Sequence, residues 1–240
     1  MIDKRVAHAA DALSDVPDGA VILVSGFGEA GNPTELVHAL LDQGARELTV
    51  VNNNSGNGEI GLALLLREKR VRRLICSYPR GSHSHVFDEL YRNGDIELEL
   101  VPQGTLAERI RAGGAGIPAF YTATGVGTDL AHGKECRSFD GRDYLLETAI
   151  AADYALIKAE RADRWGNLVY NKAARNFAPV MATAARVTIV QAREIADLGA
   201  IDPEHIVTPS IFVDRVVHVP RPVNESDFLE SSPPAAGGVR

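Results

Sequence analysis

The segment Gly26-Phe27-Gly28-Glu29-Ala30-Gly31 follows a short apolar run and precedes a proline-led helix signal. Glycines at such a place let backbone N–H groups approach a ligand closely, and a helix N-terminus favours negative charge. The chemistry on offer is the cradling of a phosphate, a carboxylate or a developing oxyanion. The same spelling, G-x-G-x-x-G, also matches a dinucleotide fingerprint, which needs an acidic residue about 20 positions on to hold the ribose. Here the second strand signal ends in Asn52-Asn53-Asn54, whose amides give no charged ribose contact, and Pro33 is an unusual entry to such a helix. The dinucleotide reading is therefore set aside. A tight strand-to-helix turn needs the same glycines. The loop alone leaves anion cradle and plain turn both open.

Other polar residues gather at strand ends, where ligands collect in α/β sheets. Asn53 and Gln103 can hold a carboxylate without competing as nucleophiles, although a structural role accounts for Gln103 equally well and local turn capping accounts for Asn53 slightly better. Glu59 stands beside Asn57-Gly58 but falls in the first turn of a helix signal, where a glutamate serves as a dipole partner, so it is rejected as a nucleophile. His83 and His85 lack a third ligand, and no metal site is expected. Arg175 reads either as an ion-paired or as an interface arginine, and Trp165 as a packed aromatic near a turn.

These residues need a scaffold, and the chain signals one. Ala20–Val24 reads as a buried strand after the turn Pro17-Asp18-Gly19. Asn32-Pro33-Thr34-Glu35 supplies an N-cap, a first-turn proline and a capping-box glutamate, and Gly44 closes that helix. Strands are predicted at 48–51, 73–76 and 96–101, with helices over 60–66 and 86–91 between them. Thr105-Leu106-Ala107-Glu108 opens another helix that stops at Gly113-Gly114. Residues 113 to 133 read as a long loop, and later strands are predicted at 154–157, 187–190 and 211–213. Alternating β and α units imply an α/β protein with a mainly parallel, open sheet covered by helices. The fold is assigned to residues 1–220, and the Pro-, Ser- and Gly-rich residues 221–240 to a disordered tail.

Composition narrows the function classes. A net charge of −7 without a basic stripe argues against nucleic acid. No apolar run approaches the roughly 20 residues that span a bilayer, and the N-terminus lacks a signal-peptide core, so no membrane partner and a cytoplasmic location are expected. Two isolated cysteines, Cys76 and Cys136, read as free thiols.

The run from Asp18 to Pro33 resembles the alpha-subunit signature of family I (3-oxoacid) CoA-transferases, with Ser25 where the family usually has glycine. Further blocks similar to that family follow in order: residues 52–66, Val101–Leu106, Arg111–Ala119, Thr124–Thr128, Asp163–Leu168, Ala174–Phe177 and Asp202–Pro209. The resemblance implies a CoA-transferase-like fold. It also implies that the loop Ser25, Gly26, Phe27, Gly28, Glu29, Ala30 and Gly31 meets CoA or an oxyanion, with CoA and acyl-CoA as substrates and no permanently bound cofactor. In this family the nucleophile is a glutamate in a Ser-Glu-Asn-Gly motif of the beta subunit. That motif is missing from this chain, which is expected to contribute no catalytic residue and to act only in a heterodimer or higher heteromer with the beta subunit. Residues 54–66, 76–80 and 86–92 resemble alpha subunits that handle 3-oxoadipate, which implies succinyl-CoA as donor; acetoacetate is the alternative acceptor. Arg80, aided by His83 and His85, is then the expected partner of the acceptor's distal carboxylate, with Asn53 and Gln103 as further substrate-binding residues. A reading of another class, a non-catalytic metabolite-binding regulator, shares the scaffold but wants a DNA-binding segment, and none is visible.

Overall fold

A computed structural model describes residues 2–81 and 83–229. Among the described residues the strands are β1 (Arg5–Val6), β2 (Val21–Val24), β3 (Leu48–Val51), β4 (Val71–Cys76), β5 (Glu97–Leu100), β6 (Ala119–Thr122), β7 (Cys136–Phe139), β8 (Arg142–Thr148), β9 (Ala152–Asp163), β10 (Leu168–Val169), β11 (Ala185–Ala196) and β12 (Arg215–His218). The helices are α1 (Ala9–Ala12), α2 (Thr34–Gln43), α3 (Gly61–Arg67), α4 (His85–Asn93), α5 (Gln103–Gly114), α6 (Ala178–Thr183) and α7 (Ser226–Leu229). The main sheet runs β1-β12-β11-β9-β2-β3-β4-β5, parallel throughout, with β10 added antiparallel to β9. This is the expected α/β class.

Period-two alternation sorts the strand residues onto two faces. Ile22, Val24, Val50, Leu74 and Leu156 pack with α1 to α4 in one core, while Leu23, Val51, Ile75, Ala155 and Val190 pack with α5 and α6 in the other. Strands buried on both faces read as unbroken apolar runs, which is why β2 and β3 were legible from sequence. The chain moves from β2 outward through β5 and then returns to β9 on the opposite side. That reversal is a topological switch point, and the loops after β2, β3, β4 and β5 all open at the same carboxyl end. Arg109, on α5 and 7% exposed, donates to Glu99 on β5 (2.5 Å) and to the Thr148 carbonyl on β8 (2.7 Å). Burial pushes the Glu99 pKa up, but the Arg109 and Arg73 guanidinium groups outweigh it and hold the carboxyl below its usual range.

Four expectations are corrected. Asn32 does not cap α2: the helix starts at Thr34 with Pro33 at the N-cap and no side-chain cap hydrogen bond, and Asn32 Nδ2 donates to Gly28 and Glu225. Helix α5 starts at Gln103, two residues ahead of the expected capping box. Residues 113–133 hold β6, which joins β8 and β7 in a separate antiparallel sheet ordered β6-β8-β7. The strand expected at 211–213 is a 3₁₀ turn, Ser210–Phe212, with Ile211 80% exposed, and β12 follows it.

The expected tail also differs. Residues 221–229 are part of the fold: Glu225 is buried, the Val223 N–H donates to Glu35 (2.5 Å), and Leu229 is buried. Residues 230–240 lie outside the described residues. No helix among the described residues is long and apolar enough to cross a membrane.

Candidate functional site

The glycine loop is pinned from both sides. Ser25 is fully buried, and its hydroxyl donates to the Gly31 carbonyl (2.8 Å) and accepts from the Lys158 N–H (3.2 Å). Phe27 and Ala30 exchange both backbone hydrogen bonds, at 3.0 and 3.1 Å, so the tip is a tight hairpin. Asn176 reaches over from the far half of the sheet, accepting from the Gly26 N–H (3.2 Å) and donating to the Ala30 carbonyl (2.8 Å). The three glycines differ in what they require. A Cβ at Gly26 would clash with Asn32 Oδ1, and one at Gly31 would lie 2.6 Å from the Ala174 carbonyl. Gly28 has φ +61° with nothing of this chain within 4 Å of a Cβ position, and it faces the adjoining cleft. Only Gly28 is left open for a ligand to approach.

The three asparagines after β3 divide the work by the same alternation. Asn52 donates to the Val24 carbonyl (2.8 Å) and Asn54 to the Gly28 carbonyl (3.3 Å), tying this loop to the glycine loop. Asn53, between them, turns to the other side. Its Oδ1 accepts from the Ser77 hydroxyl (2.7 Å), which leaves Nδ2 as the donor available to a ligand. Gln103 is the first residue of α5, a position at which backbone N–H groups also lack helical partners.

These groups line a cleft of about 520 Å³ whose walls include Gly28, Glu29, Asn53, Ser77, His83 and Gln103. A second cleft of about 410 Å³ shares Phe27 and Gln103 with it and is walled by Ala107, Phe177 and Val180. One is rich in amides and hydroxyls, the other is mostly apolar, and half-exposed Phe27 stands between them.

The structure thus brings together Phe27, Gly28, Glu29, Asn53 and Gln103, while Ser25, Gly26, Ala30 and Gly31 build the loop behind them. It does not bring in Arg80. That guanidinium pairs with Asp88 (2.5 Å) and lies over the Tyr91 ring, on the flank of α4, whereas His83 lines the cleft. Glu59 is also outside, paired with Arg67 and 3.7 Å from His85. Ser77, Tyr78, Asn57 and Gly81 belong to the cleft without having been singled out from sequence. The signal that finds Ser77 and Tyr78 is their position just after β4, equivalent to that of Asn53 after β3.

Within this cleft Glu29 is the sole carboxylate among the described residues, and it accepts a hydrogen bond from Ser226. No lysine or arginine among the described residues lines it, and no group of three or more His, Cys, Asp or Glu placed for a metal is found among them. The arrangement can donate hydrogen bonds to a carboxylate or an oxyanion. Among the described residues it pairs no nucleophile with a general base.

An open parallel sheet with a donor-rich cleft at its switch point defines an α/β protein whose cleft has the donors that an anionic or carbonyl-bearing ligand needs. Residues 6–219 match the Coenzyme A transferase family, and the chain belongs to that family. It is 59% identical to the A-type subunit of 3-oxoadipate CoA-transferase from Pseudomonas putida, over 91% of this chain and 95% of that one. It is 54% identical to the A-type subunit of succinyl-CoA:3-ketoacid coenzyme A transferase from Xanthomonas campestris pv. campestris, over 89% of this chain and 88% of that one. The fold superposes with a TM-score of 0.84 on an acyl-CoA transferase of E. coli O157:H7 at 24% identity, covering 93% of this chain. This chain spans about half of that protein, 51%. The family expected from the sequence blocks is thereby borne out.

Proposed function

We propose that this chain is the alpha subunit of a two-chain enzyme that moves CoA from succinyl-CoA to 3-oxoadipate. The observation that carries the reading is the 59% identity to one subunit of a 3-oxoadipate CoA-transferase, extending over nearly the whole of both chains. The cleft supports it, since its described residues supply donors and its one carboxylate among them, Glu29, accepts from Ser226. In the reaction a glutamate carboxylate on the partner beta chain attacks the succinyl-CoA carbonyl and the C–S bond breaks, giving an acyl-glutamyl anhydride and CoA thiolate. The thiolate attacks the glutamyl carbonyl, succinate leaves, and a glutamyl-CoA thioester remains. The acceptor carboxylate then displaces CoA thiolate, which returns to the acyl carbon and regenerates the glutamate. CoA and its thioesters enter as substrates. In this reading Asn53 Nδ2, Gln103 and the backbone at Gly28 hold the acid's carboxylate and the charge that develops on it.

The acceptor's second carboxylate needs a donor, because a buried unpaired charge is costly. In this reading His83, which lines the cleft, supplies that donor, while Arg80 is paired with Asp88. His83→Leu is expected to lower kcat/KM for 3-oxoadipate about tenfold more than for acetoacetate, the worth of one hydrogen bond to a charged group. Arg80→Met is expected to leave the ratio between the two acids unchanged. Steady-state rates of the reconstituted complex with succinyl-CoA as donor decide both. Wild-type preference for acetoacetate would replace the acceptor assignment with that of the 3-ketoacid relatives. No CoA transfer to either acid would overturn the proposal.

A further inference from the structure

Glu225 lies beyond the residues matched by the family, in the stretch whose composition reads as a tail. Its side chain is nonetheless packed beneath the cleft, with the residue 4% exposed. One oxygen accepts from Asn32 Nδ2 (2.7 Å) and the other from the Thr34 hydroxyl (2.6 Å) at the start of α2. Asn32 Nδ2 in turn donates to the Gly28 carbonyl (3.2 Å), which also receives Asn54 Nδ2. The next residue, Ser226, donates to Glu29. Further on, Leu229 packs against the Gly58 turn, where an added Cβ would lie 2.8 Å from its Cδ2. A Cβ on Gly61 would strike Glu225 Oε1.

A buried carboxylate is tolerated only where donors satisfy it, and these donors belong to the loop that carries Gly28 and to the helix that follows it. We infer that Glu225 is a positioning residue: with Ser226 it makes residues 223–229 a strap that fixes the Gly28 carbonyl and the Glu29 side chain on the cleft wall. The inference rests on the transferase reading for its effect on rate, but its effect on the loop stands without that reading. The chain of contact runs from Glu225 through Asn32 to Gly28, so removing any link lets the loop shift. A displacement of about 1 Å at a substrate-holding group costs up to about a hundredfold in rate.

The test uses the full-length chain in complex with its beta subunit. Glu225→Ala is expected to lower kcat/KM about ten- to hundredfold, mostly in kcat, while Glu225→Gln, which keeps the shape and one acceptor oxygen, recovers part of the loss. The double variant Glu225→Ala/Asn32→Ala is expected to be no worse than the poorer single variant, because both act through one contact. Amide hydrogen exchange at residues 26–31 is expected to quicken in Glu225→Ala and in Gly61→Ala, which displaces the carboxylate without changing it. Rates within twofold of wild type, fully multiplicative losses, or unchanged exchange would each overturn the strap. Should Glu225→Ala fail to assemble, Glu225→Gln and Gly61→Ala carry the same comparison. An inactive wild-type complex would strike at the transferase reading instead, and the exchange data would then decide the strap alone.

Discussion

Purified without a partner, this chain is expected to transfer no CoA from succinyl-CoA to 3-oxoadipate or acetoacetate, and turnover should appear only when the beta subunit is added. The reason is chemical. The cleft presents amides, hydroxyls, a histidine and backbone donors, and its sole carboxylate among the described residues is engaged by Ser226. Donors alone lower a barrier only if something attacks. The isolated chain should therefore fall at least about 10³-fold below the complex, the scale on which losing a covalent nucleophile acts. Glu59→Ala should leave the complex at wild-type rates, because that carboxylate sits outside the cleft with Arg67 and His85. Turnover by the chain alone that vanishes on Glu29→Gln or Glu59→Ala would place the nucleophile here.

The second large effect is expected at Gly28. Valine there adds bulk on the cleft side, with its Cβ in open space, since no atom beyond the chain neighbours lies within 4 Å of that position. The left-handed backbone, φ +61°, makes the substitution strained by about 1–2 kcal/mol, which a folded complex survives. Activity should suffer far more, with kcat/KM down about a hundredfold or beyond, because the ligand loses its approach to the backbone. Gly26→Ala should show the opposite balance. Its Cβ would run into Asn32 Oδ1, so the loss is in thermal stability. Measuring Tm and kcat/KM for both variants separates the roles. A Gly28→Val complex with ordinary kinetics would reduce the loop to a turn.

How far the sequence reached depends on the range of the forces involved. Strands β2 and β3 and the apolar stretches of β4, β9 and β11 announced themselves because a strand buried on both faces must be apolar along its length. The sheet of β6, β7 and β8 did not, since β7 is exposed along its length, β6 is half-buried in a glycine-rich stretch, and β8 opens on the exposed, charged pair Arg142-Asp143. Ile211-Phe212-Val213 has the composition of a strand, but Pro209 and Ser210 lead it into a 3₁₀ turn that leaves Ile211 in solvent. Gly28, Asn53 and Gln103 share one cleft because strand ends at a switch point converge by topology, which the order of strand and helix signals already implied. Arg80 lies off the cleft because it pairs with Asp88, eight residues away, a contact that spacing alone does not reveal. Glu225 was invisible for the same reason on a longer scale: its partners are 193 and 191 positions earlier in the chain.

The central claim, that this chain holds the ligand while its partner carries the covalent chemistry, is tested most directly by intact-mass spectrometry of the complex after incubation with succinyl-CoA alone. Without an acceptor acid the glutamyl-CoA thioester accumulates. The expected result is a CoA adduct on the beta subunit, removed by adding 3-oxoadipate, with the mass of this chain unchanged throughout. A CoA adduct on this chain that is discharged by the acceptor would contradict the account.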